Sequence, residues 1–291
     1  MSFVVAACLP LARRGGQAGR DILLNHWRLT FVPPSGIASK IGDTPARIAV
    51  ALRSRRSPGG GMIRNWQKLL AEFIGTYLFV FISAGVVCVD QELRSTGGAG
   101  IGLPALALAR GLVFAVLVFA LVQISGAHFN PAITIGAWVT RKMGSLLSLF
   151  YFIAQCLGAL AAVYTLARFI PDSIWRPVAM GAPDLASGFS RTQGILFEML
   201  LTFFLVFVFF GAVAETKDFL ARIGGFAAGL AVFLGTLVGS PYTGASMNPA
   251  VALGQAIISH HWANHGVYWA GPLLGGVIGG WLYHMLFARD S

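Results

Sequence analysis

Along residues 66–288 six long apolar runs alternate with short polar stretches: roughly 69–89, 103–124, 145–167, 194–214, 223–239 and 266–287. About 20 apolar residues are needed to cross a ~30 Å hydrocarbon core, so each run is predicted to be a transmembrane helix. Two shorter apolar runs, 130–139 and 248–258, stand apart. At about 1.5 Å per residue they reach only about 15 Å, half of that core. Each begins with Asn-Pro-Ala: Asn130, Pro131 and Ala132 in the first, Asn248, Pro249 and Ala250 in the second.

The two halves of the pattern repeat. Laying "SGAHFNPAITIG" (125–136) on "TGASMNPAVALG" (243–254) matches six of twelve positions, and Gly111 and Gly229 fall in the same 118-residue register. "AEFIGTYLFVF" aligns with "FEMLLTFFLVF", pairing Glu72 with Glu198 and Thr76 with Thr202; "YFIAQCLGA" aligns with "YWAGPLLGG". Each half reads span, span, half-helix, span, with repeat 1 over about 66–170 and repeat 2 over about 194–288. Three crossings per half turn the second half upside down, an inverted repeat, so the half-helices enter from opposite faces.

Asn-Pro-Ala is a compact way to start a helix. Asn is a favoured N-cap, and Pro at the first helical position gives up an N–H that has no partner there. Two such starts meeting at mid-membrane bring together two positive dipole ends, about +0.5 charge each. The irregular backbone before them is tolerated only where protein buries it or water wets it. A wet path with positive ends at its middle is hostile to cations and protons.

Composition agrees with a membrane protein: 56% of the 291 residues are hydrophobic, 11% are charged, and mean hydropathy is +0.72. The net charge of +10 is local. Residues 1–65 hold ten of the 21 Lys and Arg against only Asp21 and Asp43, so no nucleic-acid partner is expected. That basic stretch, expected to be disordered, has three readings: an arm on an anionic membrane face, an organelle transit peptide, or sequence upstream of a true start at Met62. We take the third as the working expectation, because "MIRNWQKLLAEF" forms a short basic lead into the first span. Cys8, Cys88 and Cys156 suggest neither a disulfide framework nor a metal cluster, and no metal or cofactor is expected.

Ionisable groups inside spans are costly and usually functional. Glu72 and Glu198 are read as acceptors for free N–H groups of the re-entrant loops. Proton relay is disfavoured because the pair is symmetric and no chain of carboxylates accompanies it. His128 is read as a hydrogen-bonded loop residue, since no partner ligands lie near it in sequence. His260, His261 and His265 are read as an ordinary solvated loop.

With these motifs the chain resembles the aquaporin, or major intrinsic protein, family in order and spacing. The resemblance implies an all-α membrane protein with six transmembrane helices plus two re-entrant half-helices, one pore per subunit and a homotetramer. It implies passive passage of water, and amides of Asn130 and Asn248 that point into the pore and donate to a passing water oxygen, interrupting proton hopping. It also implies a multi-pass protein of the cell (plasma or inner) membrane with cytoplasmic termini. The lysines after residue 65 agree: Lys68, Lys142 and Lys217 all fall on one side.

The chain departs from the family at the outer constriction. The arginine usually placed just after the second Asn-Pro-Ala is Val251, the fifth-helix position is Thr236, the loop position is Ala245, and the usual aromatic of the second helix is Arg110. A guanidinium about seven residues inside that span either faces the pore or snorkels to the interface. The first is expected, since a lipid-facing arginine at that depth is costly. Small residues at the other three positions predict passage of small neutral solutes besides water: glycerol, urea or undissociated metalloid acids such as arsenous acid. The Val251-Ala252 pair and the Tyr268-Trp269 pair pull away from glycerol facilitators. The chain is not expected to be an enzyme, because its spans hold no nucleophile–base pair and no H-E-x-x-H. The rival readings are a proton-coupled transporter and a membrane adaptor with a closed pore.

Overall fold

Each apolar run becomes a helix, and polar side chains decide where it starts and stops. The computed structural model describes residues 64–214 and 219–287, without the side chains of 219–222, and all regular elements among them are helices. The basic extension up to residue 63, Lys217 and the Arg222 side chain lie outside the described residues.

The first half comprises α1 (Asn65–Ser95), α2 (Gly102–Ser125), the short α3 (Pro131–Val139) and α4 (Ser145–Phe169). The second comprises α5 (Arg191–Phe209, continued by one π-turn, Phe210–Ala214), α6 (Phe219–Thr243), the short α7 (Pro249–Ser259) and α8 (Val267–Phe287). A one-turn helix, Asp172–Trp175, lies in the connection between the halves. Helix α1 outruns its apolar stretch because Asp90 organises its end. Asp90 accepts from Arg94 Nε at 2.7 Å, and its Oδ1 accepts the backbone N–H groups of Ile101 (2.7 Å) and Gly102 (3.0 Å) at the entrance to α2. Helix α5 opens with a reciprocal cap: Ser190 Oγ accepts from Gln193 N–H (3.2 Å), and Gln193 Oε1 accepts from Ser190 N–H (2.9 Å).

Among the described residues five helices, α1, α2, α4, α5 with its π-turn, and α6 from Ile223, are long and apolar enough to cross a membrane. The sixth expected span, α8, has 21 residues but is not among these five; it carries Pro272, His284, two Tyr, two Trp and five Gly among its apolar residues. Those glycines permit close packing. A Cβ on Gly276 would collide with the Ala132 carbonyl of α3, and one on Gly275 with the Met199 carbonyl of α5. Between the halves, Gly111 of α2 and Gly229 of α6 face each other, each backbone lying where the other's Cβ would be.

The packing is symmetric. Helix α1 lies on α2 and α4 as α5 lies on α6 and α8; α3 packs on α8 as α7 packs on α4. Each half-helix is therefore held by the last span of the other half. The outward side of α1 is an apolar stripe, Leu70, Ile74, Leu78 and Ile82, whereas Glu72, Thr76 and Ser83 are buried. Apolar outside and polar inside is the distribution expected of a helix surrounded by lipid.

Candidate functional site

The site is built from two loops that reverse the chain before α3 and α7. Both need left-handed backbone at the same places: Gly126, Ala127 and Phe129 in the first, Gly244, Ala245 and Met247 in the second, with φ between 49° and 89°. Left-handed non-glycine residues cost about 1–3 kcal/mol each and persist only where their surroundings impose them.

The imposing groups are the two buried carboxylates. Glu72 Oε1 accepts from Ser125 Oγ (2.6 Å) and His128 N–H (3.0 Å); its Oε2 accepts from Phe129 N–H (2.7 Å) and Gln155 Nε2 (2.8 Å). Glu198 Oε1 accepts from Thr243 Oγ1 (2.7 Å) and Ser246 N–H (3.0 Å), and its Oε2 from Met247 N–H (2.8 Å). Ser125 and Thr243 play the same second part, each hydroxyl accepting the N–H two residues on, from Ala127 and Ala245. Backbone donors that no helix or sheet serves are thereby satisfied inside the protein.

Both half-helices begin with capping asparagines. Asn130 Oδ1 accepts from Ala132 N–H (2.8 Å), and Asn248 Oδ1 from Ala250 N–H (3.0 Å), with Pro131 and Pro249 at the first helical position. The two starts are tied to each other. Asn130 Nδ2 donates to the Met247 carbonyl (2.8 Å), and Asn248 Nδ2 donates to the Phe129 carbonyl (2.9 Å). Each amide nitrogen carries a second hydrogen. Both asparagines line a small cavity of about 10 Å³, close to the minimum that one water occupies.

Arg110 lines the same cavity, as do Ser246 and Met247, while Phe79, Phe114, Leu205 and Val232 make its apolar wall. Four spans, α1, α2, α5 and α6, thus surround the meeting point of the two half-helices. The structure does not bring Thr236, Ala245 and Val251 into this lining; each is buried, and the Thr236 hydroxyl finds no hydrogen-bond partner among the described residues.

His128 lies toward one end of the bundle. Its Nδ1 is 3.1 Å from Thr134 Oγ1, and its ring packs edge-on against Tyr151 and Phe209. With Lys68, Lys142 and Tyr151 it lines a hollow of about 560 Å³. At the other end a strap, residues 179–186, crosses the mouth of the second loop. Gln255 Nε2 donates to the Met180 carbonyl (2.8 Å), Ala186 N–H to the Tyr242 carbonyl (2.9 Å), and Asp184 accepts from Asn264 Nδ2 (3.0 Å) and meets His261 Nε2 at 3.1 Å. Burial opposes ionisation of Asp184, but its hydrogen bonds with Asn264, the Leu185 amide and His261 outweigh it and hold the carboxyl below its ordinary range. Burial also lowers the pKa of His265, whose Nε2 accepts from Trp269 Nε1 at 3.0 Å. Gln155, Tyr151 and the strap were not singled out from sequence; only the aligned third helices of the two halves hinted at the first two.

The model of the major intrinsic protein family matches residues 61–283. The chain is 39% identical to aquaporin TIP4-4 of Zea mays over 239 residues, 81% of this chain and 92% of that one. It is 36% identical to aquaporin-4 of Mus musculus over 229 residues, 77% and 68% of the two chains. Its fold is similar to that of an aquaglyceroporin from Plasmodium falciparum, with a TM-score of 0.68 at 24% identity over 77% of this chain and 97% of that one.

Proposed function

The chain belongs to the major intrinsic protein family and is a passive channel rather than an enzyme, and we propose that its conducting path runs past Asn130 and Asn248 and carries water with small uncharged solutes. Glycerol, urea and undissociated metalloid acids are the solutes in question. The observation that carries this reading is the cross-tie of the two asparagines, each amide donating to the other loop's carbonyl beside a shared cavity. Donors fixed there donate to a passing water oxygen and offer no acceptor to a proton-carrying water, and the paired helix starts repel cations.

Arg110 sets solute choice in this proposal. It places a fixed positive charge on the α2 wall, while Val251 leaves the opposite side without one. The small side chains of Thr236, Ala245 and Val251, expected near the outer constriction although outside the cavity beside the asparagines, support room for solutes wider than water. We further propose a homotetramer in the plasma or inner membrane with both termini cytoplasmic; Lys68 and Lys142 beside the wide hollow support that orientation.

The test is a stopped-flow permeability panel on vesicles holding the full chain, with Arg110→Phe and Val251→Arg alone and combined. Water flux above that of empty vesicles, unchanged by a pH gradient, is expected. Arg110→Phe is expected to widen, and Val251→Arg to narrow, the range of solutes admitted. A flux equal to that of empty vesicles, or one driven by the pH gradient, contradicts the proposal.

A further inference from the structure

The charges outside the apolar middle of the bundle are sorted between its two ends. Where α1 and α4 begin, the described residues include Arg64, Lys68, Arg141 and Lys142 and no acid. Asp90, Glu92, Asp172 and Asp184 all lie at the opposite end. At the basic end, the corner between α3 and α4 carries an open hollow of about 490 Å³, lined by Trp138, Val139, Arg141, Met143, Gly144 and Ser145. That volume falls in the roughly 300–1,000 Å³ range of small-molecule sites. Arg141 is exposed, and its side chain meets no partner among the described residues. Trp138 is also exposed, and its Nε1 donates to Ser145 Oγ at 2.9 Å. From Ser145 onward the outward face of α4 is apolar: Leu146, Leu149, Phe150, Ile153 and Leu157 are all exposed.

We propose that this corner binds one anionic glycerophospholipid, with its phosphate on the Arg141 guanidinium and its acyl chains along the α4 stripe. The surface follows the order of such a molecule: a cation for the phosphate, an indole at headgroup level, then an apolar strip. A guanidinium matches phosphate oxygens with two parallel N–H bonds. The described charges at this end are all positive, so an anionic headgroup is favoured over a zwitterionic one. The site lies apart from the path past Asn130 and Asn248, so its test does not depend on flux.

Native mass spectrometry of the purified full chain counts retained phosphatidylglycerol against phosphatidylcholine at equal concentrations. The wild type is expected to prefer phosphatidylglycerol. Arg141→Gln loses a charged hydrogen-bond partner and should weaken that lipid's binding about tenfold or more; Arg141→Lys should keep part of it. Gly144→Phe fills the hollow and should weaken binding too. A Cβ on Gly144 meets nothing within 4 Å, and its extended backbone (φ −74°, ψ 149°) suits any residue. Arg168→Gln removes the same charge at the far end of α4 and should change nothing. Each variant is first checked for wild-type melting in phosphatidylcholine. Equal retention of the two lipids by the wild type, or equal losses in Arg141→Gln and Arg168→Gln, overturns the site. Displacement of the lipid by inorganic phosphate also overturns it and assigns the hollow to a free anion. A changed oligomer mass in Gly144→Phe overturns it as well, and assigns this face to a second copy of the chain.

Discussion

The two re-entrant loops share one backbone and differ in what braces it. Both turn through the same left-handed residues around a buried carboxylate. The first loop is closed from within. Gln155 of α4 supplies a further donor to Glu72 and also bonds Thr134 Oγ1 (3.0 Å), and the Tyr151 hydroxyl donates to the Ser125 carbonyl (2.8 Å). In the second loop Pro272 stands where Gln155 stands in the first, and the Tyr268 hydroxyl has no partner among the described residues. That loop is braced from outside, by the 179–186 strap. The comparison separates what the fold demands, a carboxylate behind each half-helix, from what each end of the molecule adjusts.

Removing the carboxylates tests the shared part and should have the largest effect. Glu72→Leu strands four donors and Glu198→Leu three. At about 1–3 kcal/mol per stranded group, against a typical total of about 5–15 kcal/mol, neither variant should be recovered as folded protein from detergent extracts. Glu72→Gln and Glu198→Gln should fold with lowered melting temperatures, the first lower than the second. Equal recovery of wild type and the leucine variants would show that the loops hold their shape without these acceptors.

The tyrosines test the difference between the loops. Tyr151→Phe removes a buried hydrogen bond and should cost about 1 kcal/mol, whereas Tyr268→Phe removes a hydroxyl with no described partner and should cost about nothing. Thermal melts of the two purified variants decide it, and equal shifts would erase the asymmetry.

The strap gives the smallest effect. Asp184 is partly exposed, so Asp184→Asn should cost at most about 1 kcal/mol. Its pKa is depressed in the fold, so its contribution is present above the unfolded value near 3.9 and is lost as pH falls through the folded one. His265, also depressed, contributes above about 6.5 and loses that contribution as pH falls toward its lower folded value. Protection of the amides at residues 179–186 and 260–266, measured against the intrinsic exchange rate at each pH, should therefore fall in acid, first around the histidine. Protection factors there that do not change with pH would show that the strap is held by other contacts.

The architecture was largely legible in the residues. The short runs beginning at Asn130 and Asn248 fall within one residue of α3 and α7, because Asn-Pro states a helix start almost locally. Ends of spans were less so. Helix α1 continues past 89 because Asp90 bonds Arg94 and two amides across a turn, which hydropathy does not register. Helix α5 ends in a π-turn that no apolar period announces. Within the site, Glu72 and Glu198 stood out as charges in apolar runs. Gln155 did not, since one amide in a span looks unremarkable until the fold brings it to a carboxylate 83 positions away. Arg110 was visible as a lone charge, but its place beside Asn130 and Asn248 depends on how α2 packs on α6.

The most direct measurement fills the cavity between the asparagines. Val232 of α6 lines it, and Leu234, two residues on, faces outward and is exposed. Water permeability of vesicles should fall to that of empty ones with Val232→Met and stay at the wild-type level with Leu234→Met, both proteins melting as the wild type does. Wild-type water flux through Val232→Met would mean that water does not pass between Asn130 and Asn248.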